Sequence, residues 1–467
     1  MTQTTTLRPR PRKLRNTYLN VPLATVNLLR SAEGCADCHR FGSHKSLCRE
    51  GNSPSLHGYM PSLRDCIVLS GPDLIPHHCR EFSWSTDTVT TIDLGPPAPT
   101  VDHGALVVIP GLYNSHTHMG DSALPDGATG LTLEQGFFRP AGYKYRALAK
   151  LNYEEHLAHV TAHLRYMAQT GTVCHIDFRE QGPAGAELLR AAASATGIDS
   201  IILGQFNGVP FDEAALAINA TPLPAADRAE LEALLTVADG FSESTMNDLT
   251  DDAWREIREL TTRLGKRRAI HCLENAGYRE LSLHRTGQGD LIRALDLLDP
   301  DLIVHLTVAH DDEIQLITSR GKTAVLNPRA NANLGLPLPP IAKLLTAGTN
   351  LLLGTDNGML NSPSMLAEMD FTYKVAKSQF GDSLAPDPTA ILRMVTSNVH
   401  AALGGDHYGR LETGLPATFA VLDFTAPHLR HSRHTVGSIV TRVTPADVLA
   451  TYRLGRALWR TPDFPIS

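Results

Sequence analysis

The sequence predicts an α/β protein: a (β/α)8 TIM-like barrel with a small β-sandwich domain formed from both chain ends. Three observations lead to this prediction. Short apolar strand candidates alternate with amphipathic segments through the middle of the chain. Strand-rich stretches flank that middle on both sides, and polar residues interrupt the apolar strands near their carboxyl ends. This pattern is typical of a parallel barrel whose functional groups lie at one end.

The barrel is predicted over residues 111–401, where eight strand candidates are each followed by a helical segment. In chain order, the strand candidates are LYNSHTH, TVCHIDF, IILGQFNG, GFSESTMN, RAIHCLE, LIVHLTV, TAVLNPRA and LLLGTDN. Segments such as DDAWREIRELTTRLGK and GDLIRALDLLDP repeat apolar residues at steps of three and four, which predicts helices. A doubly wound open sheet is the alternative, but no Gly-rich phosphate loop follows the first strand candidate.

The two flanking stretches, residues 60–110 and 402–467, are predicted to form the small β domain together. They contain strand-like pieces such as CIVLSG, ALVVIPG and ATFAVLDF, bounded by turn residues. Residues 1–59 are a Cys-rich N-terminal extension with no comparable pattern, and we expect part of it to be disordered. Three domains are therefore expected.

Composition excludes several classes of function. The net charge is −7, from 42 basic and 49 acidic residues, and no half of the chain is strongly basic, which argues against nucleic acid as a partner. No apolar run is long enough to span a membrane, and the N-terminus lacks the apolar region of a secretory signal. We expect a cytoplasmic protein with reduced thiols that acts on a small molecule or a modified peptide, with a homo-oligomer left open.

A metal site is predicted at the carboxyl ends of the barrel strands. In NSHTHMGD, His116 and His118 are two residues apart on a strand and therefore share one face. His271, His305 and Asp356 lie at the ends of strand candidates five, six and eight. Imidazoles and a carboxylate that meet at one end of a barrel can bind a divalent metal. The alternative for the histidine pair alone is ordinary hydrogen bonding at a strand end.

Several motifs, in this order and spacing, resemble those of the amidohydrolase superfamily. They are VVIPGLYNSHTHMG, AIHCLEN, VHLTVAHDDEI, LNPRANANLGL, LLGTDN and the ending YGRLETGLPATFAVLDF. The resemblance is to the cytosine deaminase, adenosylhomocysteine deaminase and chlorohydrolase-like branch, and it extends from about residue 60 to the end.

The resemblance implies a ligand set and a proton carrier. The metal ligands fall on His116, His118, His271 and Asp356; the catalytic residues fall on Glu274 as the proton carrier, His305 and Asp356. Binuclear relatives carry a lysine at the end of strand four, and GFSESTMND has none, so one metal is expected. This donor set suits Zn²⁺, with Fe²⁺ as the alternative. His310 competes with His305, although a role at a helix start is expected for it.

Charged and polar residues near the strand ends are candidates for substrate binding. They are Arg179 and Glu180 in HIDFREQG, Arg329 and Asn331 in NPRAN, and Lys144 after the first strand. The cations could anchor an anionic group of the substrate. The alternative is that they are solvated loop charges.

A second, structural zinc site is a separate hypothesis for the N-terminal extension. Cys35, Cys38, His44 and Cys48 have a spacing similar to that of a zinc knuckle. The first two also begin a Cys-x-x-Cys-His sequence typical of c-type haem attachment, but covalent haem requires an export route that the sequence does not indicate. A flexible arm with free thiols is the remaining alternative.

The function predicted is that of a mononuclear metal-dependent hydrolase that deaminates an aminated heterocycle, such as a nucleobase, nucleoside or pterin. A His-x-x-Glu pair supplies the proton that an amidine-like carbon needs when water adds to it. One alternative is hydrolysis of an amide, peptide or amidine bond in a modified metabolite or peptide natural product. Another is an inactive barrel that serves as a binding module.

Overall fold

The computed structural model describes residues 61–405 and 408–464. These residues form two sheets with helices packed around them. The predicted zinc ligands Cys35, Cys38, His44 and Cys48 lie outside the described residues.

One sheet is a nine-stranded parallel sheet that closes into a barrel. Its strands follow one another in chain order, and the last piece, β13, pairs with the first strand, β5. The barrel strands are β5 (Leu112–His118), β6 (Thr172–Arg179), β7 (Asp199–Gly204), β8 (Gly240–Glu243), β9 (Arg267–Cys272), β10 (Leu302–His305), β11 (Thr323–Leu326), β12 (Asn350–Leu353) and β13 (Asp356–Asn357). β12 and β13 are two pieces of the eighth strand, so the predicted (β/α)8 barrel is confirmed.

The strands begin where the sequence predicts, but several end earlier. β5 coincides with LYNSHTH. β8, in contrast, stops at Glu243, and the chain then forms a short 3-10 helix over Met246–Asp248. The polar residues at the ends of the predicted strands therefore belong partly to the loops above the barrel.

The other sheet is seven-stranded and combines strands from both ends of the described chain. Its order is β16-β15-β14-β4-β1-β2-β3, and only the pairing of β1 with β4 is parallel. The strands are β1 (Ser62–Ser70), β2 (Ile75–Trp84), β3 (Val89–Pro97), β4 (Leu106–Pro110), β14 (Phe419–Asp423), β15 (Val448–Arg453) and β16 (Arg456–Arg460). This sheet confirms a small β domain built from both chain ends.

An aromatic cluster fills the core of the small sheet. Trp84 packs edge-on against Phe419 and Tyr452, with ring centroids 4.9 and 5.2 Å apart. Because these residues come from β2, β14 and β15, the cluster joins the two chain ends. β4 then leads through Gly111 directly into barrel strand β5.

Helices cover the barrel and connect its strands. α7 illustrates why they form: Thr250 caps it by accepting a hydrogen bond from the Ala253 amide, and Trp254, Ile257 and Leu260 recur on its buried face. The helices are α1 (Leu133–Phe137), α2 (Tyr143–Leu148), α3 (Tyr153–Gln169), α4 (Gly182–Thr196), α5 (Glu213–Ile218), α6 (Ala225–Val237), α7 (Asp251–Arg263), α8 (Ala276–Thr286), α9 (Asp290–Arg293), α10 (Asp311–Ser319), α11 (Pro328–Asn333), α12 (Ile341–Ala347), α13 (Met365–Phe380), α14 (Pro388–Met394), α15 (Val399–Leu403) and α16 (Thr435–Thr441). Among these described helices, none has the length and apolar character needed to cross a membrane.

Candidate metal centre

The five polar residues predicted at the strand ends converge at one end of the barrel. His116, His118, His271, His305 and Asp356 are all buried. The potential ligand atoms of His116, His271 and His305 lie within 4.8 Å of one another, as do those of His116, His118 and Asp356. The structure thus brings together the residues that the sequence places at the ends of strands one, five, six and eight.

The short distances between these groups fit a shared metal ion. Asp356 Oδ1 lies 3.2 Å from His116 Nε2 and 3.6 Å from His118 Nε2, and His118 Nε2 lies 3.3 Å from His271 Nε2. The ring nitrogens of His116 are buried without a hydrogen-bond partner. Buried polar atoms are rarely left unsatisfied, so a cation bound between these atoms accounts for the arrangement.

Neighbouring groups turn the correct nitrogen of two histidines towards the centre. His118 Nδ1 contacts the Phe178 carbonyl oxygen at 2.9 Å and Glu180 Oε1 at 2.8 Å. His271 Nδ1 lies 2.8 Å from the Glu243 carbonyl oxygen. With Nδ1 engaged as a donor, Nε2 keeps its lone pair for a metal.

The backbone takes the left-handed conformation at three of the strand ends. The φ angles are +53° at Leu273, +81° at His305 and +64° at Asp356. Such conformations cost about 1–3 kcal/mol at a residue other than glycine and tend to occur at functional sites. A glycine is needed nearby, since a Cβ on Gly354 would lie 2.5 Å from the His116 Cβ.

Burial keeps His116 and His305 neutral, whereas neighbouring histidines keep Asp356 ionised. It lowers the pKa of His116 to about 4 and that of His305 to about 3. For Asp356, burial alone would raise the pKa, but the adjacent His116, His305 and His118 outweigh it and hold the pKa below its usual range. Neutral imidazoles and an ionised carboxylate are the forms that bind metals.

Glu274 lies beside the centre and lines a cavity of about 50 Å³. Its Oε1 is 3.9 Å from His305 Nε2. Burial, assisted by the negative charge of Asp356, raises the pKa of Glu274 to about 8, against the opposing effect of Lys144. A carboxyl group with this pKa can be protonated near neutral pH and can exchange a proton with a bound molecule.

The structure distinguishes His305 from His310. The side-chain amides of Asn327 and Asn331 lie 3.3 and 3.1 Å from His305 Nδ1, so Nε2 is the nitrogen that faces the cavity. The His310 side chain is 67% exposed, and the residue caps the start of α10. His305 is therefore the one at the site.

Of the candidate substrate-binding residues, Lys144 lines the cavity. Its ammonium group contacts Glu180 and lies 3.3 Å from Asp121 Oδ2. All three side chains are buried. Two carboxylates thus balance the charge of Lys144, which lies at the edge of the site.

Two other candidates, Arg179 and Glu180, are not among the residues that line the cavity. Arg179 is fully buried and donates hydrogen bonds to the Gly185 carbonyl oxygen, to Gln181 and to Glu180. The Glu180 carboxylate contacts His118 and Lys144. Both Arg179 and Glu180 thus support the candidate metal centre through buried contacts outside the cavity.

The strand-seven candidates also lie outside the cavity. The Arg329 guanidinium donates to the Ser362 carbonyl oxygen at 3.3 Å and lies 3.7 Å from Glu368 Oε2. Asn331 is fully buried, and its amide contacts His305. Arg329 therefore anchors a loop, and Asn331 orients a histidine.

Sequence reasoning missed most of the remaining cavity wall. These residues are Leu133, Phe137, Tyr145, Ser244, Tyr278, Leu334 and Asn357. Tyr278 has a signal that could have been used, because it follows Glu274 by four residues in the first turn of α8. Ser244 and Leu334 lie on loops. The others lie on α1, α2 and β13, which are too short to show a periodic pattern.

The similarity to known proteins agrees with this geometry. Residues 107–458 match the model of the Amidohydrolase family, and the chain belongs to that family. A protein of Methanothermobacter thermautotrophicus, provisionally named an aminohydrolase, is 36% identical over 76% of this chain and 89% of its own length. A relative from Syntrophobacter fumaroxidans, named 5-methylthioadenosine/S-adenosylhomocysteine deaminase, is 28% identical over 75% of this chain and 79% of its own length.

Solved structures share the fold at low sequence identity. A zinc-bound adenosine deaminase from Xanthomonas campestris has a TM-score of 0.72 and 21% identity, with 85% of this chain and 92% of that chain covered. A guanine deaminase from C. acetobutylicum, with guanine in its active site, has a TM-score of 0.70 and 15% identity, with 86% of this chain and 100% of that chain covered. The prediction of an amidohydrolase with a metal cofactor and a barrel fold is confirmed.

Proposed function

We propose that this protein deaminates an aminated purine-like heterocycle, with a single divalent metal held by His116, His118, His271 and Asp356. The observation that carries the proposal is the convergence of three imidazoles and a carboxylate beside Glu274, a buried carboxyl group with a raised pKa. Zinc suits this donor set best. When bound, such a metal lowers the pKa of a water molecule to about 7 and so supplies a nucleophile at neutral pH.

Glu274 handles the protons of the reaction. In its protonated form it donates a proton to the ring nitrogen next to the carbon that water attacks, which makes that carbon more electrophilic. The carboxylate then receives the proton lost by the added water and passes it to the amino group. The C–N bond breaks and ammonia leaves. The remaining hydroxyl group returns its proton to Glu274 as it becomes the oxo group of the ring.

Asp356 and His305 position the reacting groups. The ionised Asp356 accepts a hydrogen bond from the attacking water and aims its oxygen at the ring carbon. His305 is neutral, and its Nε2 faces the cavity near Glu274, where it can hydrogen-bond to the oxygen that is added to the ring.

The purine-like substrate class is supported by the names of the relatives and by the cavity wall. The relatives named as deaminases act, by their names, on 5-methylthioadenosine and S-adenosylhomocysteine. The flat side chains Phe137 and Tyr278 line the cavity and suit the faces of an aromatic ring.

The test is ammonia release by the zinc-loaded protein from a panel of adenine, guanine, cytosine and pterin compounds, with simple amides as a second panel. Release from one aminated heterocycle, lost in Glu274→Gln, supports the proposal. Glu280→Gln is the matched control, because Glu280 is exposed on the adjacent helix α8. Hydrolysis of amides without release from any heterocycle would overturn it.

A further inference from the structure

A second cavity, of about 410 Å³, adjoins the catalytic cavity. The two cavities share three lining residues: Phe137, Ser244 and Tyr278. The catalytic cavity, at about 50 Å³, is the smaller of the two. A molecule whose reacting ring occupies the first cavity can therefore extend a substituent past Tyr278 into the second.

The wall of the second cavity is largely apolar and comes from several barrel loops. Phe138 stacks on Tyr278, with ring centroids 5.4 Å apart. Phe211 and Leu216, which follow β7, are 6% and 7% exposed and line the opposite wall. Val209 lies at the rim and is 40% exposed. Aromatic and branched side chains of this kind bind apolar groups by removing their surface from water.

Both guanidinium groups on this wall are already paired. Arg139 contacts Glu243 and lies 3.1 Å from Asp248 Oδ2. The other guanidinium of the wall, that of Arg285, is bonded to Glu213. With Asp212, Glu213 and Asp248, carboxylates outnumber the two guanidinium groups that line the cavity. An anionic substituent would therefore be repelled, and the carboxylate of a zwitterionic one would find no free guanidinium group to pair with.

We propose that this cavity, which we call the arm cleft, binds an uncharged apolar arm attached to the reacting heterocycle. This inference rests on the proposed function, because it places the ring beside Glu274. The inference goes beyond that function because it predicts which of several substrates with the same ring the protein prefers. A thioether or alkyl arm fits the cleft, and an arm that ends in an amino acid does not.

Three adenine nucleosides that differ only in the arm test the inference. 5′-Methylthioadenosine has an apolar arm, adenosine has a hydroxyl group, and S-adenosylhomocysteine has a zwitterionic arm. We expect kcat/KM to be about tenfold or more higher for 5′-methylthioadenosine than for either other compound, as one or two apolar groups in a pocket discriminate by about 10- to 200-fold. Dissociation constants are measured in parallel by calorimetry on Glu274→Gln, which should bind these compounds without turnover.

A variant at the rim links the preference to the arm cleft. Val209→Asp adds a carboxylate where the arm passes, and we expect the ratio of kcat/KM for 5′-methylthioadenosine to that for adenosine to fall about fivefold or more. Ile218→Asp is the matched control, since Ile218 is 71% exposed, follows the same barrel strand and does not line the cleft. We expect that control to keep the wild-type ratio.

The outcomes separate the two proposals. Ammonia released at similar rates from all three nucleosides, or fastest from S-adenosylhomocysteine, overturns the arm cleft and leaves deamination intact. If no heterocycle releases ammonia, but calorimetry still shows tightest binding of 5′-methylthioadenosine, only the proposed function is overturned. If calorimetry detects no binding of any of the three nucleosides, both the proposed function and the arm cleft are overturned.

Discussion

Glu180 Oε1 lies 2.8 Å from His118 Nδ1, and both side chains are buried. The same carboxylate contacts Lys144 and Arg179. Burial alone would raise the pKa of Glu180, but Lys144, His118 and Arg179 together hold it well below its usual range. A permanently ionised carboxylate behind His118 fixes the ring orientation and makes Nε2 a better ligand.

Glu180→Gln should therefore weaken metal binding. We expect the affinity to fall about 10- to 100-fold, as is usual when a carboxylate behind a ligating histidine is lost. Competition with a chromophoric chelator measures the change, and circular dichroism checks that the variant folds. Glu187→Gln, at an exposed position on the following helix α4, is the control. Equal affinities for the two variants would show that Glu180 does not support the ligand.

Replacing the proposed ligands should abolish turnover. His271→Ala removes a neutral donor, and we expect it to lose both metal and activity, whereas Asp356→Asn should lose activity with a smaller loss of metal. Elemental analysis of the purified variants measures the metal content. His284→Ala, at an exposed position on α8, should behave as the wild type. Near-normal activity in either ligand variant would contradict the assignment.

Glu274→Gln should retain the metal and the substrate but lose about 10²- to 10⁴-fold in kcat, because an amide cannot exchange the proton. Stopped assays of ammonia release give the rate, and elemental analysis gives the metal content. A protein that has lost its metal instead would place Glu274 among the ligands.

Glu368 should make stability depend on pH. Burial raises its pKa to about 8, although Arg329 opposes the shift. Between its ordinary value of 4.5 and about 8, the folded state holds a proton that the unfolded state releases, so the free energy of unfolding falls as pH rises through this window. The total fall is up to about 5 kcal/mol by the relation between pKa and free energy.

Denaturant unfolding at a series of pH values measures this effect. Glu368→Gln should reduce the slope between pH 5 and 8, since an amide does not titrate, and Glu274, whose pKa is also raised to about 8, should carry part of what remains. Glu259→Gln, at an exposed position on α7, should keep it. An unchanged slope in Glu368→Gln would mean that other groups carry the pH dependence.

The hypothesis of a second metal site in the N-terminal extension stays a prediction. Deleting residues 1–55 should lower the metal content from about two equivalents to one, since a knuckle holds its own ion. Elemental analysis of the full chain and of the shortened chain decides the question. The same content in both chains would exclude the second site.

The convergence of the candidate metal ligands could be predicted from sequence because two regularities coincide. Alternation along a strand puts His116 and His118 on one face, and a parallel barrel gathers its strand ends at one rim. Residues from distant parts of the chain, such as His271 and Asp356, are thus brought together by topology alone. Local side-chain contacts are not needed for that inference.

The same alternation explains why Arg179 does not line the cavity. Phe178 faces the barrel interior, where its ring centroid is 4.3 Å from that of His116. Arg179, the next residue, therefore points to the other side of β6, where it bonds to Gly185 in α4. Other residues of the cavity wall, such as Phe137 at the end of the five-residue helix α1, could not be predicted, because so short a helix shows no hydrophobic period in the sequence.

The position of β4 imposes an order on the assembly of the small sheet during synthesis. β4 pairs with β1 on one side and with β14 on the other, and Pro110 is the register partner of Phe419. The ribosome releases β4 before any barrel strand, but β14 only after all of them. One edge of β4 therefore stays open while the barrel forms, and an open strand edge can recruit a strand from another nascent chain. In a chain that ends before Phe419, that edge of β4 would stay unpaired. We therefore expect such premature products to self-associate even when their barrel is closed.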